Sequence, residues 1–160
     1  MSQITIKNIK DAVIKIDQLD DDSLERLSET YVLQQEVLIG YIMSSAIEYE
    51  NDQLLDLLIY YYNIFSEAIN KQGIEQGKVS EEEIDGFQEE YIAVLDEYMD
   101  TDDADLIGTF CNQPNMVSFL VSEIDMEDEN GESLDEDTST YLFIVGIAMI
   151  ALLNRSIIDK

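Results

Sequence analysis

The sequence predicts an all-α protein: a single-domain bundle of five to seven helices over residues 1–160, with an apolar C-terminal helix at its centre. Three observations lead there. Apolar residues recur at spacings of three and four rather than two. A single proline, Pro114, leaves little to interrupt a helix. At 46% hydrophobic residues in 160, the chain has the side chains for a core, which excludes generic disorder. No internal repeat is visible, and no linker is long enough to divide the chain.

The elements follow in order. A first helix over residues 4–19 carries the stripe Ile9, Val13 and Ile16. Asp20, Asp21 and Asp22 interrupt it, and Asp22 with Glu25 three residues on resembles a capping box. A second helix then runs over 22–49. Its middle, 37–47, is apolar or small on every face, as expected of an element surrounded by other helices. Asn51 or Asp52 caps a third, with stripe Leu54, Leu58, Tyr62, Phe65 and Ile69, ending near Gly73, where glycine suits the left-handed position past a helix end. Ser80 with Glu83 forms an S-x-x-E box and opens a fourth helix over 80–99, with core stripe Ile84, Phe87, Tyr91, Leu95 and Tyr98. A short helix over 106–111 follows an acidic turn, and Pro114 suits the first turn of the next, with Val117, Leu120 and Ile124 facing inward. After an acidic loop at 127–137, the last helix covers 139–157. Leu142, Val145, Met149 and Leu152 line one of its sides and Phe143, Ile147 and Ile150 the other, so neither suits water.

Composition excludes much chemistry. Without a single His, the chain has no Ser-His-Asp or Cys-His nucleophilic site, no His-ligated zinc, no Glu-x-x-His di-iron centre and no haem His ligand. No cofactor or metal is expected, and the protein is expected not to be an enzyme. The lone Cys111 forms no intrachain disulfide and reads as a small buried hydrophobe. Residues 1–10 lack the apolar core of a secretory signal, so a cytoplasmic protein is expected. The uncharged run 141–153 is shorter than the roughly 20 residues a bilayer needs, and reads as a buried helix.

The formal charge is -28, from 36 Asp and Glu against 8 Lys and Arg. It is polarised: residues 79–154 hold 21 acids and no Lys or Arg, whereas 1–78 hold 14 acids and 6 cations. On the helix opening at Ser80, Glu82, Asp85, Glu89, Asp96 and Asp100 fall within a sector of roughly 60°, opposite the apolar stripe. They form a line roughly 27 Å long. Glu83, Glu90 and Glu97 widen it, and none of these acids has a cation at i+3 or i+4. These five residues are the candidate protein-binding site. Such a field attracts a basic protein and repels nucleic acid and anionic membranes. A nucleic-acid mimic, an immunity-type inhibitor of a basic toxin and a chaperone of a basic client all fit. The plainer alternative is a solvated face that only keeps the protein soluble, although the magnitude far exceeds the roughly 2 to 8 charges that suffice for that.

Other motifs carry less. Glu81, Glu82 and Asp85, followed by Glu97 and Asp100, resemble the EExxE and ExxD pattern of MazG-like pyrophosphohydrolases, with Asp85 where that family has Glu. The resemblance covers only residues 81–100. It implies Mg²⁺-dependent nucleotide hydrolysis, yet no Lys or Arg between Lys78 and Arg155 is there to meet a phosphate. A calcium loop starting at Asp125 places Glu127, Glu129 and Glu136 at ligand positions but has Asn130 where glycine belongs and Glu132 where a hydrophobe belongs. Of the run Tyr60, Tyr61 and Tyr62, the last belongs to the core stripe, and Tyr60 or Tyr61 is a candidate interface anchor.

Overall fold

A computed structural model describes residues 3–126 and 131–158. Among these the chain forms eight helices: α1 (Ile6–Gln18), α2 (Asp21–Gln34), α3 (Glu36–Ile47), α4 (Asp52–Lys71), α5 (Glu81–Thr101), α6 (Ala104–Cys111), α7 (Pro114–Asp125) and α8 (Glu136–Ser156). No strand occurs among the described residues. One isolated antiparallel bridge joins Gln76 to Ile157 and ties the connector before α5 to the end of α8.

The all-α class holds, but the helix count exceeds the expected five to seven because the predicted helix over 22–49 is two helices. It breaks at Gln35, whose φ of -139° and ψ of 53° leave the helical region. The cause lies far along the chain. Gln35 is buried, and its Nε2 donates to Gly77 O at 2.8 Å while its Oε1 accepts from Val79 N at 3.1 Å. Those two bonds pair a half-buried carbonyl at Gly77 and a buried N–H at Val79, and that outweighs one turn of continuous helix. Nor is α3 enclosed on every side: Leu38, Ile42 and Ala46 are buried, while Gly40, Ser44 and Ile47 face out.

Capping follows local chemistry. Asn51 accepts from Leu54 N, Ser80 and Glu83 form the reciprocal box, Pro114 opens α7, and Gly73 holds a φ of +73° past the end of α4. The cap of α2 is Asp20 rather than Asp22. The Ser23 N–H donates to its carboxylate at 2.7 Å and holds that carboxyl below its ordinary value.

Buried residues from all eight helices form one contiguous hydrophobic cluster. α4 and α8 pack against each other. α1 and α2 lie on α4, α6 and α7 lie on α8, and α3 touches both α4 and α8. The stripe foreseen on α4 is buried throughout, as are Leu142, Val145, Ile147, Met149, Ile150 and Leu152 of α8. By length and composition α8 is the one helix among the described residues that could cross a membrane; here twelve of its 21 residues are buried against protein. A close approach marks its middle: a Cβ added at Gly146 would come within 2.6 Å of the Leu120 side chain, so α7 and α8 meet where α8 has no side chain.

A buried polar group is also accommodated. Glu67 on α4 is 1% exposed, pairs with Lys15 of α1 at 2.7 Å and accepts from the Tyr31 hydroxyl of α2, so one carboxylate links three helices. Cys111, at the end of α6, is fully buried, and burial pushes its thiol up to about 12. An aromatic disulfide reagent at about pH 8 is therefore expected to leave the native protein unlabelled and to modify its single thiol once denaturant unfolds it. Fast labelling without denaturant would show that α6 detaches.

Candidate functional site

α5 lies on the outside of the bundle, held by α6 and α3 rather than by broad contact with α8. Its inner edge is aromatic. The Phe87 ring stacks on Tyr91 with centroids 5.3 Å apart, lies 5.6 Å from Phe110 of α6, and meets Tyr41 of α3 edge-on at 6.2 Å. The Tyr91 hydroxyl donates to the Ile144 carbonyl of α8. Ile84, Phe87 and Tyr91 are buried, and Leu95 and Tyr98 are half-buried.

With that edge fixed inward, the opposite side is turned to water. Glu82, Asp85, Glu89, Asp96 and Asp100 are all exposed, as are Glu83, Glu90 and Glu97. Spacings of three, four, seven and four residues keep the five along one side of the helix. Of the ion pairs between described residues, only one touches α5: Arg155 of α8 reaches Glu90 at 2.5 Å while its guanidinium lies 5.1 Å from the centroid of the Phe87 ring. Glu90 is thus compensated from 65 residues away, by a partner that the absence of cations at i+3 and i+4 does not reveal. The five central acids have no such partner among the described residues.

The charge is also placed against the helix. Glu81, Glu82 and Glu83 in the first turn suit the positive end of the macrodipole, but Glu97 and Asp100 sit near the negative end with no basic residue in the last turn. Each such acid costs about 0.3–1 kcal/mol at an exposed helix end. Local departures from what stability favours are where function is sought.

Two features beside the acids escaped the sequence reading. Ile92 and Met99 are 60% and 62% exposed and follow each other two turns apart, about 20° to 40° around the helix from Asp85. They fell between the core stripe and the acid stripe, and only the angular position of each residue could have singled them out. Ile92 borders a groove of about 440 Å³ with Tyr41, Tyr49 and Leu95, and Met99 borders one of about 310 Å³ with Val121, Ile124 and Phe143. Both grooves arise because α5 stands off from α8.

The acidic turn continues the band, since Asp102, Asp103 and Asp105 are exposed. The loop at 127–137 and the calcium reading fall partly on 127–130, outside the described residues. Among the described residues no three Cys, Asp or Glu side chains converge as a metal site. Both parts of the pyrophosphohydrolase-like pattern lie on α5, with Glu81 and Glu97 about 24 Å apart along one helix, too far to share an ion. Tyr61 and Tyr62 are buried, which removes Tyr61 as an interface anchor, and half-buried Tyr60 donates to Asp17 at 2.9 Å. The chain matches no protein-family model, no curated protein and no solved structure.

Proposed function

We propose that this protein is a non-enzymatic binding module that receives a basic protein partner on the outer side of α5. The observation that carries the reading is the line of five exposed carboxylates, unpaired among the described residues, set beside the exposed side chains of Ile92 and Met99. In it the carboxylates Glu82, Asp85, Glu89, Asp96 and Asp100 steer the partner and select it, and the apolar side chains supply most of the residence time. Nucleic acid and anionic membranes are repelled by the same field. The supporting body is a single helical domain in the cytoplasm, with α8 at its centre. Burial of more than half of α8, and its packing against α3, α4, α6 and α7, support that arrangement.

The test begins with affinity capture from native extract at low salt, followed by kinetics with the captured protein. Association is expected to slow by at least about tenfold between roughly 0.05 M and 0.5 M salt. Combining Glu82→Gln, Glu89→Gln and Asp96→Asn is expected to slow association by a similar factor, with melting unchanged or slightly raised because repulsion is relieved. Binding that ignores salt, or a triple variant that binds like the parent, would overturn the reading.

A further inference from the structure

Between α3 and α5 the surface opens into a groove that continues from one end of the pair to the other. The two helices run side by side in the same direction: Gln35 bonds to Val79 at their starts, Tyr41 meets Phe87 halfway, and Tyr49 and Leu95 line the far end. The first part of the groove, of about 530 Å³, and the second, of about 440 Å³, share Tyr41 and Ser44 as lining residues. From Glu36 to Tyr49 its α3 side is roughly 20 Å long. Val37, Tyr41, Ile84, Ile92 and Leu95 make it apolar along that length. Carboxylates stand at both edges, Glu36 and Glu48 on α3 and Glu81 and Asp85 on α5, and no Lys or Arg lines either part. Glu89 and Asp96 follow within about 40° of Asp85 around α5, so the acidic line of that helix forms the groove's outer rim.

The outward side of α3 sets how closely an occupant can come. Gly40 and Ser44 sit one turn apart there, and both are exposed. A Cβ added at Gly40 would meet nothing within 4 Å, and its backbone is not left-handed, so neither internal packing nor conformation calls for glycine. Glycine inside a helix is destabilising relative to alanine. What two small residues do provide is room for a further helix to lie close against α3. The occupant's conformation follows from the walls, which are helices whose backbone groups are already bonded. An extended segment would find no sheet edge and would bury unpaired N–H and C=O groups, whereas a helix satisfies its own. Its charge follows from the carboxylates on both rims. We infer that the groove between α3 and α5 seats an amphipathic helix of the basic partner, about four turns long, with its apolar side inward and Lys or Arg along both flanks. This rests on the reading of α5 as the partner-facing helix and adds α3 as the second wall.

The test titrates the full-length, ¹⁵N-labelled protein in about 0.15 M salt, where diffuse attraction is screened. Three capped synthetic peptides of about 14 residues are compared. The first has leucines at i, i+3, i+4 and i+7 and lysines elsewhere, the second has the same composition in strict alternation, and the third keeps the leucine pattern with glutamine for lysine. The first is expected to bind saturably, one per protein, with a gain of helical circular dichroism and amide shifts confined to α3, α5 and the part of α8 beneath them. The other two are expected to bind at least about tenfold more weakly. Gly40→Gln combined with Ser44→Gln changes no charge and is expected to weaken the first peptide by at least about tenfold. It should also raise the melting temperature by about 2 °C or more, since glutamine favours a helix over glycine. Ile92→Ser, on the other wall, is expected to weaken the same peptide by about fivefold or more. Shifts spread evenly over the acidic surface, equal binding of the alternating peptide, or both sets of variants binding like the parent would overturn the inference. The α3 double variant is then carried to the captured partner. If it binds like the parent while the triple α5 variant does not, the inference fails and the α5 reading stands; if the triple variant binds like the parent, the reading itself fails.

Discussion

Raising the pH from about 9 to about 12 is expected to unfold this protein in one cooperative step, with tyrosine ionisation and helix loss coinciding. Tyr31, Tyr62 and Tyr91 are each 5% exposed or less. Their hydroxyls donate to the Glu67 carboxylate, to the Tyr31 carbonyl at 2.6 Å and to the Ile144 carbonyl respectively. Burial comes first in raising all three above the ordinary tyrosine value, pushing Tyr62 up to about 12, and the Glu67 charge adds to it at Tyr31. The sign follows from linkage. A group whose folded value lies above its unfolded value of about 10 contributes its full stability below that pH and loses it as pH rises through the folded value. Each buried ring then costs up to about 1.4 kcal/mol per pH unit. Three rings reach about 4 kcal/mol per unit, against a typical total stability of about 5–15 kcal/mol. Phenolate absorbance and far-ultraviolet circular dichroism, followed together, check this. Gradual ionisation with the helical signal intact would show that these rings reach solvent in the native state.

Truncating one ring should do more damage than any change on the acidic side of α5. Phe87→Ala is expected to cost about 3–5 kcal/mol, the range for removing a buried phenylalanine, and to lower the melting temperature by about 10 °C or more. Phe87 joins α3, α5, α6 and α8 through Tyr41, Tyr91, Phe110 and the guanidinium of Arg155. Its loss leaves a cavity at the point where α5 is fastened. Amide exchange should therefore accelerate first in α5, and affinity for the proposed basic partner should fall although no carboxylate is altered. A loss under about 1 kcal/mol in denaturant titrations would mean that the neighbouring rings close the gap. Replacing exposed Ile92 by Ser should change stability by no more than about 0.5 kcal/mol, because its side chain is already in water.

Much of this organisation was readable from local signals. The Ser80 box, the Asn51 cap, the proline at the start of α7 and the left-handed Gly73 each depend on residues within one turn of chain, and spacing alone assigned the buried and exposed sides of α4 and α5. What was missed depends on distant partners. Nothing around Gln35 signals a break, because the cause is backbone 42 to 44 residues further on. Glu90 looks unpaired until Arg155 is brought beside it. The outward side of α3 likewise escaped, because a run of small and apolar residues does not say how many neighbours it will have.

The stand-off between α5 and α8 has an evolutionary corollary. A helix fastened along one narrow aromatic edge can exchange almost every outward residue without disturbing the interior. The outward residues of α5 can therefore be exchanged one substitution at a time while the cluster beneath keeps its packing.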